Sequence, residues 1–192
     1  MIDNFDLIKN LLREVHPKWT SDNYFFGQII YRGKDNNETG SRIIKDLYFK
    51  NMTSFDKQKS EIISLCNQYK ARAYINLNVK SFERTWSFIN KRMMDMYDNE
   101  DFSAVLSVLS SAAGNVATRD STFNKIWIID VDKDDSYPEV AVKQYLYENN
   151  INYNIIPTKN GLHLLTHPFR LDVCPFSDKI QKHNPTLLYY GD

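Results

Sequence analysis

Asp130 and Asp132 stand two residues apart at the end of Ile126-Trp127-Ile128-Ile129-Asp130-Val131-Asp132. Successive side chains of an extended chain point to opposite faces, so these two carboxylates project to one side. The stretch Lys125–Val131 is nearly continuous in apolar residues, the pattern of a central strand buried on both faces. Two carboxylates on one side of such a strand repel each other and lose hydration. A divalent cation relieves both penalties, and oxygen-only ligands favour Mg²⁺ or Mn²⁺. Such a cation can bind the phosphates of a nucleotide and stabilise charge in phosphoryl transfer. A plainer reading ends the strand at Ile129 and makes residues 130–136 a solvated acidic loop. A calcium loop is excluded. Asp130, Asp132 and Asp134 match its first three ligand positions, but Asp135 stands where glycine is needed and Ala141 where glutamate is.

The second candidate is Ile155-Ile156-Pro157-Thr158-Lys159-Asn160-Gly161-Leu162-His163-Leu164-Leu165. Asn160-Gly161 between apolar runs is a hairpin signal. His163 shares a strand face with Leu165, and with Lys159 and Thr158 close by it suits an anionic group such as a triphosphate. The competing reading is a core histidine satisfied by one hydrogen bond. His167, followed by Pro168, reads as structural, and no histidine spacing is that of a zinc site.

These residues need elements to hold them. Residues 3–15 predict a helix with Phe5, Ile8, Leu11, Leu12 and Val15 inward, ended by Pro17. Tyr24–Arg32 and Arg42–Lys50 predict a hairpin with a polar, mobile connection. Residues 55–69 carry Ile62, Leu65, Cys66 and Tyr69 at helical spacing. In 71–79, Arg72, Tyr74, Asn76 and Asn78 alternate with Ala73, Ile75, Leu77 and Val79, a strand with one polar face. Phe82, Trp86, Ile89 and Met93 mark an amphipathic helix with Trp86 in the core. A further helix spans 102–116 with Phe102, Val105, Leu106, Leu109 and Ala113 inward. Ser136 and Glu139 form a capping-box pattern opening a helix through Asn149. Tyr153–Pro157, Leu162–Thr166 and Thr186–Tyr190 complete the strands. The expected fold class is α+β in one domain, a mixed or antiparallel sheet with flanking helices; residues 1–70 supply a helix, a hairpin and a helix, and 71–192 a core.

The 192 residues carry 24 Lys+Arg and 24 Asp+Glu, so no global charge draws the chain to nucleic acid and any such binding needs a local patch. Lys70, Arg72, Lys80, Arg84, Lys91 and Arg92 against Glu83 alone make one within residues 70–92. Arg72 is its most attractive member, and Tyr74 and Trp86 are candidates for stacking on bases. No apolar run reaches the roughly 20 residues that span a bilayer, and the N-terminus is unlike a secretory signal. Cys66 and Cys174 give neither a disulfide framework nor a zinc cluster. The expected setting is a soluble, reducing, cytoplasmic one without membrane contact.

A buried strand ending in Asp-x-Asp, a helix, and a hairpin reading Asn-Gly-x-His: this order resembles the archaeo-eukaryotic primase (primase-polymerase) superfamily. Its first motif is a hydrophobic strand ending in Asp-x-Asp/Glu, matched by Ile128–Asp132. Its second is commonly Ser-x-Gly-x-His, matched in Gly161-Leu162-His163, with Lys159 and Asn160 standing where serine is usual. The resemblance covers residues 71–190 and implies a primase-like, RRM-like catalytic core. It implies that Asp130 and Asp132 bind catalytic Mg²⁺ or Mn²⁺ and that His163 contacts the incoming nucleotide, with Lys159, Asn160 and Arg72 as further contacts. It also calls for a third metal-binding carboxylate on a later strand. Asp172, in Arg170-Leu171-Asp172-Val173, fits best, with Asp178 and Asp192 as alternatives.

The implied activity is nucleotidyl transfer in DNA replication, from nucleoside triphosphates onto a strand paired with a single-stranded template. A core this small is of the kind borne by phages or mobile elements and working with a replication partner protein. A catalytically inactive primase-like domain that binds nucleic acid or a protein is the rival class, and an Asp-x-Asp nuclease or nucleotide-sugar transferase ranks behind it.

Overall fold

β-Branched and aromatic runs pair into two antiparallel sheets, and the stretches with helical spacing pack outside them. The computed structural model describes residues 1–17, 19–115, 125–134, 136–183 and 185–191. In chain order the elements are β1 (Ile2–Asp3), α1 (Phe5–Val15), β2 (Asn23–Arg32), β3 (Ser41–Phe49), α2 (Met52–Tyr69), β4 (Arg72–Ile75), β5 (Lys80–Ser81), α3 (Phe82–Asp98) and α4 (Val108–Asn115). They continue with β6 (Trp127–Asp132), α5 (Glu139–Glu148), β7 (Tyr153–Pro157), β8 (Gly161–Thr166), β9 (Ile180–Gln181) and β10 (Thr186–Tyr190). The α+β class is as expected.

The first sheet runs β1-β10-β4-β2-β3, with β5 also paired to β2; the second runs β7-β8-β6-β9. Residues 1–70 supply three strands of the first sheet, and β4, β5 and β10 complete it, so both parts of the chain share that sheet. A large apolar cluster joins α1 and α2 (Phe5, Ile8, Leu12, Phe55, Ile62) to β2, β4 and β10, and takes in Ile128, Ile156 and Leu165 of the second sheet. A smaller cluster lies on the other face of the second sheet, where Ile129, Val131 and Leu164 meet Val142 and Leu146 of α5 and Phe176. β6 is thus covered on both faces, as its sequence predicts.

Asparagine amides bridge the sheets where apolar contact stops. Asn78 donates to the Ile126 carbonyl (3.0 Å) and accepts from the Ile126 amide (2.9 Å), fixing the entry to β6. Asn4, which is buried, donates to the carbonyls of Pro157 (2.9 Å) and Leu187 (3.0 Å), one from each sheet.

Several expectations give way. The apolar stripe of α3 is covered at its start, where Phe82 stacks on Tyr24, but Trp86 is 63% exposed and Met93 is exposed too, and the helix fully buries Thr85 and Met96 instead. The segment 102–116 forms a short 3-10 turn and then α4, and Phe102, Leu106 and Leu109 face outward, while Ala112 and Ala113 pack inward. The end of that segment at residue 116 lies outside the described residues. Small side chains let α4 approach closely, and the larger ones are left outside. The Ser136–Glu139 capping box does not form, because the chain is still extended at Pro138, which is the N-cap of α5. Among the described residues, no helix is long and apolar enough to cross a membrane.

His16, directly after α1, is 2% exposed and sits edge-on to Phe25 at 4.8 Å. Burial pulls its pKa down from the ordinary 6.5 to about 4. Between those values the unfolded chain takes up a proton that the folded chain refuses, so stability falls as pH drops through this window. The expected loss from pH 7 to pH 4 is of order 3 kcal/mol. Urea denaturation across this range should show a flatter acid limb in His16→Leu than in the wild type.

Candidate functional site

Alternation along β6 sorts its side chains. Ile129 and Val131 enter the cluster under α5, while Ile128 enters the larger cluster on the opposite face; Asp130 and Asp132 follow on the same side as Ile128. There the apolar packing opens into a cleft of about 340 Å³ lined by both sheets. That volume is within the range of small-ligand sites, roughly 300–1,000 Å³.

One wall comes from the second sheet. Asp130 pairs in register with His163 of β8, and Asp132 with Gly161. The His163 Nε2 lies 3.4 Å from Asp130 Oδ1, and its Nδ1 is 2.8 Å from the hydroxyl of Thr186 on β10. With the proton on Nε2, Nδ1 accepts from Thr186 and the N–H faces the carboxylate, so both ring nitrogens are matched. The imidazole is 8% exposed, fixed from both sheets. Thr158, Asn160 and Gln181 complete this wall.

Glycine at 161 is a matter of space. A Cβ there would lie 2.0 Å from the carbonyl oxygen of Val131 and 2.8 Å from the Cα of Asp132. The hairpin loop is Thr158-Lys159-Asn160, one residue shorter than the expected connection, because Gly161 already pairs in β8. It is closed by Thr158 N–H to the Gly161 carbonyl (3.0 Å), while the Asn160 carbonyl accepts from Lys133 N–H (3.0 Å).

The opposite wall is basic. Arg32 ends β2, Lys34 lies in the connection to β3, and Arg72 and Tyr74 project from β4 at the alternate positions to core residues Ala73 and Ile75. Arg32 donates to the Tyr74 hydroxyl (3.2 Å). Arg72 grips Asp35 through two bonds of 2.7 and 2.6 Å, both side chains being 8% exposed. Lys159 reaches the same carboxylate at 3.3 Å, and both cations lie about 5 Å from the ring centre of Tyr190. Burial alone raises the Asp35 carboxyl, but Arg72 and Lys159 outweigh it and hold it below the usual range.

The structure therefore brings Asp130, Asp132, His163, Asn160 and Arg72 to one cleft, whereas Lys159 is turned to Asp35 and does not line it. Asp172 is not brought there. It lies between β8 and β9, exposed and bridged to Arg170 at 2.6 Å. Its neighbours Leu171 and Cys174 pack with the α5 cluster, on the sheet face away from Asp130. Asp178 lies in a short 3-10 turn and does not line the cleft, and Asp192 is outside the described residues. The basic patch at 70–92 is dispersed. Lys80 is buried and donates to the Gly114 carbonyl (3.0 Å), with burial lowering its pKa to about 8, and Arg72 is committed to Asp35.

Sequence reasoning missed Arg32, Lys34, Asp35 and Gln181. Arg32 closes the expected strand, and Lys34 and Asp35 sit where a mobile connection was expected. The one available signal was Gly33, whose added Cβ would lie 2.5 Å from the Glu38 carbonyl, marking a tight fold-back in place of a slack loop. Comparison with known proteins returns no matching family model, curated protein or solved structure.

The donor set at Asp130 and Asp132 is chemically suited to a hard cation: two carboxylates, with the oxygen-bearing side chains of Asn160 and Thr158 in the same lining, while Gln181 turns its amide N–H to Asp130. Among the described residues no group of three His, Cys, Asp or Glu side chains is placed to hold a metal. Among the described residues the set lacks the third acid that the motif resemblance calls for.

Two substitutions test this account of the site. Gly161→Ala should cost about 2–4 kcal/mol in chemical denaturation, because backbone must move apart at the β6–β8 pairing. Asp35→Asn should cost about 3 kcal/mol, since it leaves the Arg72 charge buried without its counterion.

Proposed function

We propose that the chain is a metal-dependent nucleotidyltransferase of primase-polymerase type, adding nucleoside triphosphates to a nucleic-acid strand. The observation that carries this reading is the division of the cleft by charge. Asp130, Asp132 and His163 line one wall, and Arg32, Lys34 and Arg72 line the other.

A triphosphate is polyanionic and needs donors in a confined space; a divalent cation needs carboxylates beside it. The cleft offers both. Arg32 and Lys34 would take the phosphate oxygens. Arg72, held by Asp35, contributes charge from a fixed position. Asp130 and Asp132 would hold Mg²⁺ or Mn²⁺, which when bound neutralises phosphate charge and favours the ionised form of an attacking hydroxyl. His163, immobilised by Thr186, would donate to a phosphate oxygen from Nε2. In the reaction a 3′-hydroxyl oxygen bonds to the α-phosphorus, the α–β bridging bond breaks, pyrophosphate departs and the hydroxyl proton passes to solvent. Tyr74, beside Arg32 in the cleft, would offer its ring to the base or sugar. The template would be single-stranded nucleic acid.

A second reading, nucleotide and nucleic-acid binding without transfer, is favoured by one observation. Among the described residues, Asp130 and Asp132 are the two carboxylates lining the cleft.

The test is incorporation of labelled nucleotides on a single-stranded template, with and without primer, in Mg²⁺ or Mn²⁺. Asp130→Asn and Asp132→Asn should each reduce incorporation at least 100-fold with an unchanged circular dichroism spectrum. Incorporation retained in either variant overturns the transferase. Arg32→Ala should raise the KM for nucleotide about tenfold with a smaller change in kcat. Nucleotide binding without incorporation by the wild type would establish the second reading.

A further inference from the structure

Asp130 is approached from both neighbouring strands. β8 sets His163 Nε2 at 3.4 Å from Oδ1, and β9 sets Gln181 Nε2 at 3.2 Å from Oδ2. Gln181 pairs in register with Ile128, two residues before Asp130 on the same face, so its side chain lies in the cleft and lines it. On β9 this is the position from which a third carboxylate could reach the same space, since Ile180 pairs opposite Ile129 on the other face.

Charge decides how many cations such a site holds. Two-metal sites keep their ions about 3.5–4 Å apart, and that repulsion is offset by bridging and flanking anions. Two carboxylates neutralise one divalent ion. A second would face the Arg32 and Lys34 wall, and among the described residues no third carboxylate lines the cleft to balance it. Gln181 cannot supply the balance, because its amide is neutral and presents a donor to Asp130.

We infer that Gln181 holds the Asp130–Asp132 pair to a single divalent cation in the absence of nucleotide, occupying the place from which a third carboxylate would complete a two-cation site. The inference rests on the reading of Asp130 and Asp132 as cation ligands. Glutamate at 181 is nearly isosteric and would turn a donor into a third anion beside the pair. The like-charge repulsion so created is relieved by a second cation.

The experiment is titration of the nucleotide-free protein with Mn²⁺ alone, the free ion being counted by electron paramagnetic resonance. The wild type should bind one ion per chain at the micromolar level, Asp130→Asn should bind none, and Gln181→Glu should bind two. Gln181→Asp provides the same charge by a shorter side chain should the glutamate variant fail to fold. Two ions on the wild type, or a single ion on folded Gln181→Glu and Gln181→Asp alike, overturns the inference and leaves the cation site standing. No ion on the folded wild type overturns both the inference and the reading beneath it.

Discussion

The joint between the two sheets is the constraint on which the cleft depends. Its walls belong to different sheets, so neither sheet alone has a site. Apolar contact through Ile128, Ile156 and Leu165 gives the joint its affinity, but apolar contact is nondirectional and leaves the sheets free to slide. Directional bonds remove that freedom. The Asn78 amide meets both backbone groups of Ile126, Asn76 donates to the His183 carbonyl at 2.8 Å, and Asn4 spans Pro157 and Leu187. A buried amide gains little net energy from such bonds but loses much when they are unmade, so it penalises every misplaced register.

The Arg72–Asp35–Lys159 cluster closes the joint on the cleft side. Asp35 belongs to the first sheet's β2–β3 connection and Lys159 to the second sheet's β7–β8 loop. Two cations on one carboxylate leave a net positive charge, stacked against Tyr190. That charge lies close to the wall of Arg32 and Lys34, so the group that fastens the sheets also biases the cleft toward anions.

Much of this was legible in the residues. The apolar run before Asp130 with Asp132 two further on gave a buried strand with both carboxylates on one side; of the polar face expected along 71–79, Arg72 and Tyr74 turn to the cleft, while the strand stops at Ile75 and Asn76 and Asn78 bond to the backbone of His183 and Ile126. What was not legible depended on coverage. Trp86, Phe102 and Leu109 have the spacing of buried residues, but spacing reports periodicity and is silent on whether another element arrives to cover the stripe. Asp172 had the sequence form of a third acid, and its place was decided by Leu171 and Cys174 packing toward α5, a tertiary fact. Lys34 and Asp35 looked like solvated loop residues because nothing local announces that Arg72 and Lys159 will converge on Asp35.

The Thr186–His163 bond has a consequence for how the protein is made. Thr186 lies on β10, which pairs with β4 more than a hundred residues earlier, and β1 in turn pairs with β10. The first sheet therefore closes through contacts of high sequence separation, and such topologies fold slowly because the loops must be closed before any contact rewards them. During translation the β2–β3 hairpin can pair early, yet His163 stays unfixed until residue 190 has left the ribosome. For that interval a nascent chain carries unpaired edges on β4 and β1, open to strand pairing with neighbouring chains.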